Sequence, residues 1–265
     1  MLAPIVGNPV VQVKAPALLN PRYAAAGIDL EVVPIELPLD GFDAGFSALL
    51  NRPDVAGVIV TVPFKAQAIK HCQSLDAQAE IAGAANLITR DDSGHWRGAM
   101  TDGVGMVRAM RKAGFDPKGR RGFMAGAGGA GKGIAAALSA AGIAALDIFD
   151  PAYEKAIDLA VRTGTMALRR PPGTLGDYDL LINATALGLN ENDPSPFDLA
   201  QANADAFVAD VIAEPSPSRL QQRAATRGLR NIGSMDMLSG QLDLLFEGLA
   251  ASLFNTRKMG RPLSR

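Results

Sequence analysis

A glycine-rich hexapeptide has the spacing G-x-G-x-x-G and follows a short apolar run, 123–125. It consists of Gly126, Ala127, Gly128, Gly129, Ala130 and Gly131. An alanine-rich stretch typical of a helix, 134–141, comes after it. In this strand–turn–helix context Gly126 permits a tight turn, Gly128 lets a pyrophosphate approach the backbone, and Gly131 allows close packing. The N–H groups at the helix start favour the anion. The hexapeptide therefore predicts a dinucleotide site, with a glycine-rich turn that binds nothing as the alternative.

The next apolar run, 146–149, ends in Asp150. An acidic side chain at this point of a dinucleotide-binding fold accepts hydrogen bonds from the adenosine ribose and repels a 2′-phosphate. The residues that follow, 151–154, include no arginine. The sequence therefore predicts that NAD is preferred over NADP, with an incidental aspartate as the alternative.

Short apolar runs alternate with helical patterns along the chain, which is typical of α/β architecture with parallel sheets. In the first part the predicted strands are 2–6, 30–35 and 55–62 with a hairpin at 85–90 and 95–99, and the helices are 16–26, 42–51 and 65–72. After a connecting helix at 103–113, the predicted strands are 121–125, 145–150, 166–170, 180–185, 207–212 and 229–233, and the helices are 129–142, 152–163 and 217–227. A last helix begins near Ser234 and carries a leucine stripe.

Two domains are predicted from this order. Residues 1–100 form an N-terminal α/β domain, which the C-terminal helix 234–265 completes by packing back on it. Residues 101–233 form a Rossmann-type domain that binds NAD.

The composition excludes several classes of protein. A net charge of -1 gives the whole chain no electrostatic footprint for nucleic acid or an anionic membrane. The basic stretch 108–121 is interpreted as a solvated helix face and turn, with a phosphate or RNA patch as the alternative. Cys72, His71 and His95 show no metal-ligand spacing, so no metal is expected. One cysteine, no long apolar run and no signal-peptide pattern predict a cytoplasmic protein.

With the motifs of the first part added, the chain resembles the shikimate dehydrogenase family. The matching segments are Gly7-Asn8-Pro9, Pro16 with Asn20, Val60-Thr61-Val62-Pro63-Phe64-Lys65, Ala82-Gly83-Ala84-Ala85-Asn86, Thr101-Asp102-Gly103, Gly126 to Ala130, Ile182-Asn183-Ala184-Thr185 and Gln241. The resemblance implies a substrate domain and a nucleotide domain with a cleft between them.

By this resemblance, Lys65 and Asp102 are the catalytic pair. Oxidation of an alcohol releases a hydroxyl proton that a general base must accept, and burial favours the neutral amine that can do so. The resemblance also implies that three side chains bind the substrate and two contact the cofactor. The substrate-binding residues are Thr61, Asn86 and Gln241, and the cofactor-binding residues are Asn183 and Thr185.

The chain departs from the family pattern after Gly-Asn-Pro. The family has two serines there whose hydroxyls hold the substrate carboxylate, and these align with Val13 and Ala15. Each lost hydrogen bond to a charged acceptor costs about 1.5–3 kcal/mol. Gln12 and Lys14 are candidate replacements. Met100 stands where an asparagine is expected and makes this end more apolar.

We therefore expect an NAD-dependent enzyme that interconverts an alcohol and a ketone on a shikimate- or quinate-like hydroxylated ring acid. The missing serines favour a first alternative, a regulatory protein that binds NAD without catalysis. A second alternative is a dehydrogenase of amino acids or folate derivatives, which residues 60–65 with Asn86 disfavour. The expected partners are a small-molecule substrate and a second copy in a homodimer.

Overall fold

The computed structural model describes residues 1–259 and divides the chain into two compact units. Unit 1 comprises Met1–Thr101 together with the described part of the last helix from Leu242 onward, and unit 2 comprises Asp102–Gln241. The end of the predicted C-terminal helix, 260–265, lies outside the described residues.

Unit 1 is built on a mixed six-stranded sheet. Its strands are β1 (Leu2–Gly7), β2 (Glu31–Glu36), β3 (Gly57–Val60), β4 (Ser74–Leu75), β5 (Leu87–Arg90) and β6 (Trp96–Ala99). Its helices are α1 (Ala15–Ala25), α2 (Phe42–Leu50), α3 (Lys65–Ala68) and α4 (Ala77–Ala82), and α3 continues as a 3-10 turn, Ile69–His71. The strand order is β2-β1-β3-β5-β6-β4, in which β5 is antiparallel to β3 and to β6 and the other pairs are parallel.

Aromatic stacking and the end of the last helix close the core of unit 1. Phe42 stacks on Phe46 and on Phe64, with ring centroids 4.9 and 4.3 Å apart. The buried Tyr23 stacks on Phe246 at 4.7 Å, and its hydroxyl donates to the Phe246 carbonyl. Ser252 accepts the Arg90 main-chain N–H, so the last helix is hydrogen-bonded to the sheet as well as packed on it.

Unit 2 contains a second six-stranded sheet in which every pairing is parallel. Its strands are β7 (Arg121–Ala125), β8 (Ala145–Phe149), β9 (Met166–Leu168), β10 (Leu180–Asn183), β11 (Phe207–Asp210) and β12 (Asn231–Ile232). Its helices are α5 (Asp102–Lys112), α6 (Gly129–Ala140), α7 (Tyr153–Thr163) and α8 (Arg219–Thr226), and α9 (Ser234–Met259) begins here and ends in unit 1. A 3-10 turn, Leu199–Gln201, lies between β10 and β11. The order β9-β8-β7-β10-β11-β12 is that of the doubly wound dinucleotide-binding sheet.

Apolar clusters cover both faces of this sheet. Along β7, Phe123 and Ala125 belong to one cluster and Met124 belongs to the other, as the two-residue period of a strand requires. Strands buried on both faces are expected to be continuously apolar, which is why they were recognisable in the sequence. The predicted α/β class with a Rossmann-type domain is confirmed.

The sequence expectations differ from the structure mainly at short elements. The pair β4 and α4 was not predicted, because two- and six-residue elements carry too little periodicity to recognise. Asp76 caps α4 by accepting the Ala79 N–H at 2.7 Å, and this cap was the available signal.

Candidate functional site

The glycine-rich loop lies where the strand order of the unit 2 sheet reverses, between β7 and β10. Ligands of open α/β sheets bind at this edge, outside the carboxyl ends of the strands. Gly126 has φ of 103°, and a Cβ on it would lie 2.6 Å from the Ala184 carbonyl, so a side chain is excluded twice over. Gly128 immediately precedes α6, and a Cβ there would have no atom within 4 Å. The loop therefore presents open backbone at the start of a twelve-residue helix, which fits a pyrophosphate.

The neighbouring loop, after β10, is organised by Asn183. This side chain is fully buried and accepts the Thr185 N–H and hydroxyl at 3.1 and 2.6 Å. Its amide nitrogen donates to the Leu187 carbonyl and to Asp210 at 3.0 and 2.9 Å. The amide of Asn183 thus shapes the loop beside the glycines, and its contact with a cofactor, like that of Thr185, stays a prediction.

Asp210 ends β11 beside Asn183 and was not singled out in the sequence. It accepts hydrogen bonds from Asn183, from the Ile212 N–H at 3.1 Å and from the Ser218 hydroxyl at 2.5 Å. Burial raises the pKa of this carboxyl above its usual range, and the hydrogen bonds oppose the shift without cancelling it. Asp210 therefore links the ends of β10 and β11 to the start of α8.

Asp150 binds the protein's own backbone with both carboxylate oxygens. One accepts the Ala127 N–H of the glycine-rich loop at 2.8 Å, and the other accepts the Ala152 N–H at 2.9 Å. Since Ala127 is completely buried, its N–H has no access to water and depends on this carboxylate. Asp150 thus holds the loop in shape.

An arginine lies next to Asp150 in the sheet although it is distant in the sequence. Phe149 of β8 pairs with Leu168 of β9, so Arg169 follows its strand alongside Asp150. The exposed guanidinium of Arg169 lies over the Tyr153 ring, 4.3 Å from its centroid. Residues 151–154 alone do not predict Arg169, because it reaches this edge through the pairing of β9 with β8.

In unit 1, Lys65 is the first residue of α3 and is only 6% exposed. The Ala85 N–H donates to the Lys65 carbonyl at 2.9 Å, so the helix start is hydrogen-bonded to the segment that precedes β5. Thr61 lies at the end of β3, half-buried, and its N–H donates to the Val6 carbonyl at 2.8 Å. A buried lysine is costly unless it has partners, so this position is a candidate for function.

The Asn86 side chain is hydrogen-bonded to Thr101, the residue that precedes Asp102. Its oxygen accepts the Thr101 N–H at 2.7 Å, and its amide nitrogen lies 2.9 Å from the Thr101 hydroxyl. Both residues are almost completely buried. Asn86 therefore fixes Thr101, the last residue of unit 1 before the chain enters unit 2.

Asp102 and Gln241 are hydrogen-bonded within unit 2, with the Gln241 amide nitrogen 3.2 Å from Asp102 Oδ1. Both side chains are 4% exposed. Two glycines let α5 and the start of α9 approach closely: a Cβ on Gly240 would collide with the Gly105 carbonyl, and one on Gly105 would lie 2.5 Å from the Met237 carbonyl. The leucine stripe alone did not show which way Gln241 faces; the structure buries it against Asp102.

The segment between β1 and α1 carries the residues that depart from the family pattern. The Gln12 amide nitrogen donates to the Pro9 carbonyl at 3.0 Å, while its oxygen is buried without a hydrogen-bond partner. Lys14 is exposed, precedes α1 and interacts elsewhere in the chain. Val13 is half-buried and Ala15 is buried. Gln12 therefore uses its amide nitrogen within its own loop.

The described residues include no candidate metal cluster and no reactive thiol. Over residues 1–259, no group of three or more His, Cys, Asp or Glu side chains could hold a metal ion. Burial raises the pKa of the Cys72 thiol to about 12, which leaves it protonated and unreactive at neutral pH. None of the helices that the structure describes is long and apolar enough to cross a membrane.

Comparisons with known proteins agree across nearly the whole chain. The sequence model of the shikimate dehydrogenase substrate binding domain matches residues 5–88. A shikimate dehydrogenase (NADP(+)) of Rubrobacter xylanophilus is 34% identical over 257 residues, covering 94% of this chain and 88% of that protein. One of Caulobacter vibrioides is 32% identical and covers 92% of this chain and 87% of that protein. The crystal structure of shikimate dehydrogenase from Aquifex aeolicus has a TM-score of 0.85 at 24% identity and covers 97% of each chain.

The predicted preference for NAD is wrong. The relatives from Rubrobacter xylanophilus and Caulobacter vibrioides are both named as NADP(+) enzymes. The physical reason lies in the sheet: the Asp150 carboxylate accepts main-chain N–H groups of its own loops, and β9 brings Arg169 to the same edge. Residues 151–154, which lack an arginine, are therefore not the whole of this edge.

Proposed function

The chain belongs to the shikimate dehydrogenase family, and we propose that it interconverts a secondary alcohol and a ketone with NADP as cofactor. The proposed substrate is a polyhydroxylated compound of the shikimate or quinate type. The glycine-rich loop binds the pyrophosphate, and Arg169 binds the 2′-phosphate as a cation at the edge of β9. When bound, the dinucleotide supplies the hydride acceptor or donor.

The observation that carries the proposal is the burial of five polar side chains from the family motifs. Lys65, Asn86, Thr101, Asp102 and Gln241 are each no more than 6% exposed. Ionisable groups are rarely buried this deeply unless a partner or a reaction requires them. A fold that needed only stability would be served as well by apolar residues at these positions.

In the proposed mechanism the chain's own residues handle the hydroxyl proton. Lys65 exchanges this proton with the substrate oxygen as general base or acid, and Asp102 stabilises the charged form of the amine. Gln241 donates to Asp102 and fixes the direction in which the carboxylate points. Asn86 holds the Thr101 backbone and hydroxyl by hydrogen bonds. Thr61 and Asn86 bind substrate hydroxyls in this proposal.

The test is Lys65→Ala, assayed by initial rates of NADP reduction with shikimate, quinate and their methyl esters. A proton-transfer group typically contributes about 10²–10⁴-fold to the rate, so kcat should fall by that factor while NADP binding is kept. Lys70→Ala is the matched control, because Lys70 is exposed and lies five positions further along, in the 3-10 turn that follows α3. An unchanged kcat in Lys65→Ala would refute the assignment. No turnover by the unmodified protein, with NADP still bound, would favour a regulatory nucleotide-binding protein.

A further inference from the structure

We propose that the substrate presents an uncharged, hydroxylated end to residues 8–15 and that a carboxylate is disfavoured there. This inference rests on the proposed function and narrows its substrate class to neutral compounds, such as polyols, ketoses or neutral derivatives of ring acids. The inference depends on which hydrogen-bond donors of residues 8–15 are not already used within the protein.

The side-chain amides of the segment donate to the protein itself. Asn8 donates through its amide nitrogen to the Leu37 carbonyl at 2.8 Å, and Gln12 donates in the same way to the Pro9 carbonyl at 3.0 Å. Val13 and Ala15 have no polar atom in their side chains. A carboxylate needs several donors to replace its hydration, and in these four side chains only the second N–H of each amide is left for it.

The Gln12 oxygen adds an electrostatic argument. It is buried and has no hydrogen-bond partner. An anion placed against this loop would lie near the negative end of an amide dipole that no donor compensates. A neutral hydroxyl is not repelled by the Gln12 oxygen in this way, because it can act as a donor or as an acceptor.

Two exposed valines lie in and beside the segment. The Asn8 N–H donates to the Val62 carbonyl at 2.9 Å, so the segment lies directly against the end of β3. The Val62 side chain is 55% exposed and that of Val11 is 91% exposed. Exposed valine side chains pack better against the C–H groups of a neutral ligand than against a hydrated anion.

Lys14 is the cationic side chain of the segment. If its ammonium bound the substrate carboxylate, the inference would be wrong. It is exposed and already interacts within the chain. A single ammonium on a flexible four-carbon stem is a less directional carboxylate site than two fixed hydroxyls. Lys14→Met therefore belongs in the test.

The experiment compares shikimate with methyl shikimate, and quinate with methyl quinate, as pairs that differ mainly in charge. Initial rates with NADP are measured alongside calorimetric binding of each compound to the protein saturated with NADP. We expect kcat/KM to be at least about tenfold higher, and Kd at least about tenfold lower, for the esters, the effect of one hydrogen bond to a charged group.

The double variant Val13→Ser/Ala15→Ser should reverse this order. Two added hydroxyls should raise kcat/KM for the acids by about tenfold or more and change that of the esters by less than about threefold. The control Lys70→Ala changes an exposed lysine outside residues 8–15 and should leave the ratio of kcat/KM between esters and acids unchanged. The inference is overturned if the unmodified protein prefers the acids, or if Lys14→Met selectively abolishes an efficient turnover of the acids. If neither acids and esters with NADP nor uncharged ketoses with NADPH are turned over or bound, the proposed function fails and the inference fails with it.

Discussion

The Gln241 amide nitrogen lies 3.2 Å from Asp102 Oδ1, and the two residues come from helices that are far apart in the sequence. Helices α5 and α9 approach closely enough for this hydrogen bond because the backbones of Gly105 and Gly240 are in contact, with no side chain between them. Gln241 is thus a neutral donor that helps to orient the Asp102 carboxylate.

Gln241→Leu removes that donor without changing the size of the side chain much. A hydrogen bond to a charged group is worth about 1.5–3 kcal/mol, so kcat should fall roughly 10- to 150-fold while KM for NADP stays constant. The kcat of Gln241→Glu should fall further at neutral pH, because this variant places a second carboxyl beside Asp102. Its kcat should recover as the pH is lowered. A Gln241→Glu profile parallel to that of the unmodified enzyme would show that the hydrogen bond does not position the carboxylate.

The glycine-rich loop allows a pair of substitutions with opposite expectations. Gly128→Ala adds a methyl group where no protein atom lies within 4 Å, so the Tm should change little while the KM for NADP rises about tenfold or more. Gly131→Ala places the methyl group against the Gly126 carbonyl, and overpacking of this kind costs about 1–3 kcal/mol. Gly131→Ala should therefore lower the Tm measurably. Equal thermal shifts in the two variants would contradict the assignment of Gly128 to the ligand side.

The elements that carry the fold were predictable because their signals are local. The valine- and isoleucine-rich run around β3 and the apolar runs around β7 and β8 are buried strands whose type can be read from composition. The glycine-rich loop could be predicted for the same reason, since each glycine has its own steric task within six residues.

The parts that the sequence did not disclose depend on contacts between distant segments. Arg169 lies beside Asp150 only because β9 pairs with β8 in a particular register. The direction in which Gln241 faces depends on how closely two helices cross, and the use of the Gln12 amide within its own loop depends on a turn. None of these relationships has a period or a spacing that a single sequence shows.

Arg169 provides the test of cofactor choice. If its guanidinium binds the 2′-phosphate, Arg169→Ala should raise the KM for NADP about tenfold or more and leave the KM for NAD within about twofold. Arg162→Ala is the control, because Arg162 is also an arginine of unit 2 but pairs with Asp158 on its own helix. Equal losses with both dinucleotides in Arg169→Ala would mean that the residue acts through stacking on Tyr153 rather than through the phosphate.

Asp210 gives a prediction for stability against pH. Burial raises the pKa of its carboxyl in the folded protein, so the folded state binds the proton more tightly than the unfolded chain does. Its contribution to the free energy of unfolding is therefore largest below the usual carboxyl range and declines as the pH rises through the raised pKa. Urea unfolding of the unmodified protein and of Asp210→Asn, compared at a series of pH values, should show this decline only in the former.

The comparison holds even if Asp210→Asn has a constant cost from altered hydrogen bonding to Ser218, because that cost does not vary with pH. The quantity to follow is the difference in unfolding free energy between the two proteins, which should become less favourable to the unmodified protein as the pH increases. A difference that grows with pH would mean that the three hydrogen bonds to the carboxylate outweigh its burial. In that case the link from β10 and β11 to α8 would be held by a stabilised anion, and it would weaken in acid instead.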